Sequence, residues 1–157
     1  MFQGKWSAGR ADAQDALDLR VEVFVEEQGF AREVELDEYD DMALHAMVYE
    51  DGQCVATGRL IFKGDRFYVG RVAVKKPYRG QGFGDLVMRM ILFRAEQMGV
   101  TKLYLHAQLS AMGFYEKLGF KKVGGTFLKE GAPHQEMMLE LKDFDWHAHC
   151  REFSAQS

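Results

Sequence analysis

Arg79-Gly80-Gln81-Gly82-Phe83-Gly84 stands between a run of strand character, Arg66 to Val74, and a run of helical character, about Gly84 to Met98. That succession decides the fold. Pro77 stops the strand at a turn. Beyond the glycines, Leu86, Val87, Met90, Ile91, Phe93 and Met98 recur along one broad apolar face, with Gly99 as a C-terminal stop. A strand follows at about Lys102 to Ala107, then a helix at about Ser110 to Leu118. Strand, helix and strand in succession predict that 66–74 and 102–107 are parallel neighbours joined by a right-handed crossover.

A glycine-rich turn between a buried strand and a helix lets backbone N–H groups converge on an anion, with the positive end of the helix dipole behind them. The same glycines also suit a tight turn for conformational reasons alone. The turn follows a meander and no acidic ribose partner ends a next strand, so it is not a dinucleotide fingerprint. No Gly-Lys-Ser/Thr follows, so it is not a P-loop. A pyrophosphate beside a buried strand suits coenzyme A.

Upstream, a short strand is expected at Gln3 to Ser7. Asp12 then caps a helix with the apolar stripe Ala13, Leu17, Val21, Phe24, ended by Gly29. Glu22, Glu26, Glu27 and Gln28 crowd its C-terminal end, where the dipole disfavours carboxylates. The acidic run Glu33 to Asp41 reads either as a solvated face or as an attraction site for a cationic amine. Strands at Leu44 to Glu50 and Cys54 to Phe62 flank Asp51-Gly52, a strong hairpin signal, and Lys63-Gly64-Asp65 turns into the strand 66–74. Downstream, strands at about Lys121 to Leu128 and Gln135 to Leu141 are joined by the loop Lys129 to His134. The tail from Asp143, with Trp146 and Phe153, packs on its own domain or on a second subunit, which leaves a homodimer open.

A chain of 157 residues has the size of one domain. No segment approaches the roughly 20 apolar residues of a membrane span. The start lacks the apolar run of a signal peptide, so a cytoplasmic location is expected. A net charge of −4 gives no bulk attraction for nucleic acid or acidic membranes. Cys54 and Cys150 read as structural or surface thiols. His147, His149 and Cys150 lack further ligands at suitable spacing, so no metal site is expected.

The set Arg71-Val72-Ala73-Val74, Arg79-x-x-Gly82-x-Gly84 and Gln108-x-x-Ala111-x-x-Phe114-Tyr115-Glu116-Lys117-Leu118-Gly119-Phe120 resembles the acetyl-CoA-binding motifs of the GNAT (Gcn5-related N-acetyltransferase) superfamily. The resemblance covers nearly the whole chain. It implies an α/β (α+β) GNAT fold with a mixed sheet of six to seven strands, an antiparallel N-terminal meander, parallel central strands and flanking helices. Residues 1–157 would then be a single domain with a short tail at about 143–157. Within the superfamily, Val21 to Gln28, the acidic run ending in Asp40, His45, and Gly131-Ala132-Pro133-His134 resemble the ElaA-like and YjcF-like group. Its nearest relatives of defined chemistry resemble amino-sugar-phosphate acetyltransferases, which hints at a small amine acceptor.

The resemblance implies roles for particular residues. The backbones of Val72, Ala73 and Val74 run along the acetyl group and pantetheine, and Arg79, Gly80, Gln81, Gly82, Phe83 and Gly84 hold the pyrophosphate. Gln108 stands where the family often has asparagine beside the cofactor. Tyr115 matches a tyrosine near the thioester sulfur, where it would protonate the departing thiolate. Phe24, Gln28 and His134 fall at the acceptor. A base is also needed, since an alkylamine of pKa near 10.4 is neutral in only about one molecule in a few thousand at pH 7. In some members a glutamate on the third strand is available, but Tyr68 occupies that place here. The candidates are His45, Glu27 and His134, while His106 reads as structural. The implied activity is acetyl transfer from acetyl-CoA to a small primary amine. A non-catalytic CoA-binding sensor is the alternative that the missing glutamate raises, and a protein acceptor is a third.

Overall fold

The computed structural model describes residues 2–32 and 36–147 and holds one sheet of seven strands. In chain order they are β1 (Phe2–Ala8), β2 (Leu44–Glu50), β3 (Gln53–Lys63), β4 (Arg66–Val74), β5 (Lys102–Gln108), β6 (Lys121–Lys129) and β7 (Ala132–Glu140). They lie side by side as β1-β2-β3-β4-β5-β7-β6.

The first four form the predicted antiparallel meander. Its β2–β3 turn places Asp51 and Gly52 at φ 52° and 78°, the left-handed pair that a two-residue hairpin needs. The predicted parallel neighbours β4 and β5 do pair, at Phe67 with Leu103 and Tyr68 with Tyr104. Beyond Tyr68 their register ends, while β5 remains paired with β7 along its full length.

The crossover between β4 and β5 contains α2 (Phe83–Gln97), introduced after the N-terminal α1 (Gln14–Arg20). Val87, Met88, Ile91, Leu92 and Ala95 of α2 are fully buried against Ala46, Val48, Val55, Ala56, Leu60, Leu103 and Leu105 of the sheet. Burial stabilises by about 1.5–3 kcal/mol for each large aliphatic side chain. The approach is close. A Cβ on Gly58 would lie 2.8 Å from Val87 Cγ1 and 2.9 Å from Ile91 Cδ1, so β3 needs a residue without a side chain there.

The N-terminal helix departs from expectation. Ala13, not Asp12, is its N-cap, and no side chain caps it. After α1 the chain widens into a π-helical segment, Val21–Glu27, in which Gln28 N–H reaches back five residues to Val23 O at 3.1 Å. Wider turns rotate the apolar face. Leu19 and Val23 become buried in place of Val21 and Phe24, which are only half-buried. Gly29 ends the segment at φ 84°, as its sequence position predicts.

The C-terminal strands also differ. Glu130 and Gly131, at φ 51° and 77°, make the turn, so Ala132, Pro133 and His134 belong to β7 rather than to a loop. The helix expected from Ser110 to Leu118 is a 3₁₀ turn, Leu109–Ala111, followed by α3 (Met112–Lys117). The tail packs on its own chain as far as it is described. Trp146 lies edge-on to Phe144 and Phe93, and Arg89 Nη1 donates to its carbonyl at 2.9 Å. His149, Cys150 and Phe153, like Glu33 to Glu35, lie outside the described residues. Burial pushes the Cys54 thiol up to about 12, which fits an inert thiol. Among the described residues no helix is long and apolar enough to cross a membrane.

Candidate active site

Where β4 and β5 part, a cleft of about 650 Å³ opens. Tyr68 to Val72 of β4 form one wall and Leu105 to Gln108 of β5 the other. Tyr115, Phe24 and Gln28 line it, as do Phe127 to Glu130 at the tip of the β6–β7 hairpin.

The wall at Val72 is made by a bulge. Register runs from Arg59 with Gly70 to Thr57 with Ala73, so β4 carries one residue more than β3. Arg71 takes the strain at φ 52°, a conformation uncommon for a residue with a side chain. Arg71 and Val72 have no register partner in β3, and β5 has already diverged. Main chain at Val72 is thereby presented to the cleft.

Beyond Val72 the chain leads to the glycine turn; Ala73, Val74 and Arg79 to Gly84 do not line the cleft. Arg79 Nε donates to Val74 O at 2.9 Å, tying the turn to the end of β4. Gly82 is the N-cap of α2 at φ 85°, and no side chain caps the helix. The first helical bond runs from Leu86 N–H to Gly82 O, so Phe83, Gly84 and Asp85 keep N–H groups without partners inside the helix. Phe83 itself is core, at 7% exposure, so its side chain anchors the turn. A Cβ on Gly84 would touch Phe114 Cζ at 3.4 Å and Val74 Cγ2 at 3.6 Å. These features fit an anion such as a pyrophosphate seated on the turn. They also couple the turn to Tyr115, whose ring lies 5.0 Å from that of Phe114.

Burial pushes the Tyr115 phenol up to about 12, so it keeps its proton at neutral pH. Gln108 Nε2 donates to Gln28 Oε1 at 3.0 Å, joining β5 to the end of the π-helical segment. His134 Nδ1–H donates to Ala132 O at 2.8 Å, which fixes the tautomer and leaves Nε2 as an acceptor on the cleft.

The other two base candidates do not fit that role. His45 is 1% exposed, does not line the cleft, and donates from Nε2 to Asp40 O at 3.0 Å. Burial lowers its pKa. Glu27 likewise does not line the cleft. Its carboxylate takes two hydrogen bonds from Arg79, which hold it below the ordinary carboxylate range and make it a weaker base.

The acidic run is split where it is described: Glu38 and Asp41 are exposed, whereas Asp37 and Asp40 are turned onto arginines and are neither solvated nor open to an amine. Asp40, fully buried, accepts from Arg20 at 2.7 and 3.1 Å and from Arg59 at 2.9 Å. Asp37 accepts from Arg59 at 2.6 and 2.9 Å and from Arg71 at 3.2 Å. Burial alone would raise both carboxyls, but the arginine hydrogen bonds and charges outweigh it and hold them low.

His106 is on the cleft rather than in the framework. Its Nε2 lies 3.0 Å from Glu136 Oε2 and its Nδ1 3.4 Å from Lys129 Nζ. Arg59, Lys63 and Lys129 also line the cleft without having been singled out in the sequence. Strand alternation carried part of this signal, since Tyr104, His106 and Gln108 share one face of β5. The arginine and lysine positions had no comparable local mark.

A family model described as the acetyltransferase (GNAT) domain matches residues 12–141. The Bacillus subtilis (strain 168) protein YyaT is 36% identical over 134 residues, covering 83% of this chain and 90% of the relative. The uncharacterized N-acetyltransferase YjcF of the same strain is 35% identical over 128 residues, covering 81% and 91%. The crystal structure of Escherichia coli ElaA superposes with a TM-score of 0.78 at 26% identity, covering 89% of this chain and all of that one.

Proposed function

The chain belongs to the GNAT acetyltransferase family, and on that premise we propose that it moves the acetyl group of acetyl-CoA directly to the primary amine of a small molecule, with both substrates bound together. The observation that supports this reading is the placing of Phe114 between Gly84, where an added Cβ would touch its ring, and Tyr115, on whose cleft His134 also lies.

Acetyl-CoA supplies an activated thioester. The N–H groups of the turn and the start of α2, those of Gln81 and Phe83 included, hold the pyrophosphate, with Gly80, Gly82 and Gly84 allowing close approach and Arg79 adding charge. The backbone of Val72, Ala73 and Val74 guides pantetheine, and Gln108 stands beside it. The main chain at the Val72 bulge is pre-aimed at the reacting carbonyl, an effect typically worth roughly 10²- to 10³-fold in rate. His134 takes the amine proton at Nε2, directly or through water. Tyr115 donates its phenolic proton to the leaving sulfur. Phe24 and Gln28 bound the acceptor. The site of action on this reading is the cytoplasm.

A thiol-release assay across amino sugars, their phosphates, polyamines, amino acids and peptide N-termini tests the reading. Release that depends on an added amine is expected. Tight CoA binding with no amine-dependent release from any member of the panel would sink it in favour of a CoA-binding sensor.

A further inference from the structure

One end of the cleft concentrates positive charge in a chain whose net charge is −4. Arg59 and Lys63 of β3, Arg71 of the β4 bulge and Lys129 at the end of β6 all line it, against the carboxylates of Asp37 and Glu130. Among the described residues that line it, four are cations and two are carboxylates, and Arg59 is also paired with Asp40. Asp37 is already shared between Arg59 and Arg71. Neither lysine has an ion pair among the described residues. Lys63 Nζ rests 5.3 Å from the centre of the Tyr39 ring, and Lys129 Nζ approaches the uncharged Nδ1 of His106.

We infer that the acceptor amine carries an anionic group, a carboxylate or a phosphate, which Lys129 and Lys63 bind at this end of the cleft beside Arg71. Lysine ammonium groups are suited to such a ligand, because each offers three rotatable donors and a compact charge. Partial burial and then the charges of Arg71, Arg59 and Lys63 pull the Lys129 pKa down, as expected of an ammonium crowded by its own sign. A bound anion relieves that crowding. The inference rests on the N-acetyltransferase reading and specifies its acceptor.

Matched amines test it with the full-length chain: glucosamine against glucosamine 6-phosphate, and propylamine against β-alanine. The anionic member of at least one pair should have a kcat/KM about 10- to 100-fold higher, the equivalent of one or two charge-assisted hydrogen bonds. Which pair shows the preference distinguishes phosphate from carboxylate. Lys129→Gln, and separately Lys63→Gln, should shrink the anionic-to-neutral ratio about ten-fold. Equal or better use of both neutral amines overturns the inference and leaves the N-acetyltransferase reading standing. If no amine is acetylated, that reading fails, and calorimetry with glucose 6-phosphate and propionate on the CoA-loaded protein decides the anion site. Binding of either, weakened in Lys129→Gln, supports it, and binding of neither overturns it.

Discussion

Arg79 and Glu27 hold one another through two parallel hydrogen bonds, Nη1 to Oε2 at 2.7 Å and Nη2 to Oε1 at 2.8 Å, so the guanidinium assigned to the pyrophosphate already has a carboxylate on it. The pair joins the end of the π-helical segment to the glycine turn. Pyrophosphate binding at Arg79 must exchange one set of oxygens for another. Glu27→Gln should therefore tighten CoA binding, by about 2- to 10-fold, and Arg79→Ala should weaken it by about ten-fold, both measured by calorimetry. Unchanged affinity in both variants would remove Arg79 from the pyrophosphate site.

Tyr115→Phe should lower kcat by about 10²-fold, within the range for loss of a general acid, while the CoA dissociation constant moves less than about two-fold. The phenol, at about 12, stays protonated throughout the neutral range. Activity should therefore show no alkaline loss attributable to Tyr115 up to about pH 10. Stopped-flow turnover and equilibrium binding separate the two effects. A variant that binds CoA poorly but turns over normally would reverse the assignment.

Asp40→Asn should destabilise the fold by about 1–3 kcal/mol, because the buried guanidiniums of Arg20 and Arg59 lose the charge of the carboxylate they share. Arg20 is 1% exposed and Asp40 fully buried. Urea denaturation with an unchanged m-value would register the loss. A change below about 1 kcal/mol would mean that water reaches the pair.

Stability should fall as pH drops below about 6.5, the ordinary histidine value. Burial lowers the pKa of both His45 and His106, so between their folded and unfolded values the unfolded chain binds more protons. His45 sits against Asp40 with Arg20 and Arg59 nearby, and His106 against Glu136 and Lys129. Further loss should follow below about pH 4, as Asp37 and Asp40, held low by arginine, are protonated. Melting temperatures from pH 8 to pH 5 measure the first step. His45→Gln should flatten that slope, and a slope as steep as in the parent chain would exclude His45 as its source.

The hairpin at Asp51-Gly52, the crossover helix with its apolar face and the parallel pairing of β4 with β5 were all legible in the sequence, because each follows from spacing within a few residues or from connection length. The glycine turn ahead of the crossover helix was legible for the same reason. Glycines at a strand-to-helix turn constrain the backbone wherever the turn is placed. Boundaries blurred where a hydrogen-bonding pattern changed without a change of composition. The π-helical segment at Val21–Glu27 kept a plausible α-helical stripe while turning Val23 rather than Val21 into the core.

The acceptor half was another matter. His45, His106 and His134 all lie on strands, and nothing in their immediate neighbours separates the one sealed on Asp40 from the two on the cleft. The bulge at Arg71 exists only as a mismatch of one residue between β4 and its partner. The acidic run found its partners in Arg20, Arg59 and Arg71, up to 34 residues away along the chain. By itself the sequence determined where the chain turns and which faces are apolar, since those are properties of local backbone freedom and period. Only the tertiary structure decided which charges neutralise one another and which remain facing the cleft, because desolvation and ion pairing depend on distances between residues that the chain order keeps apart.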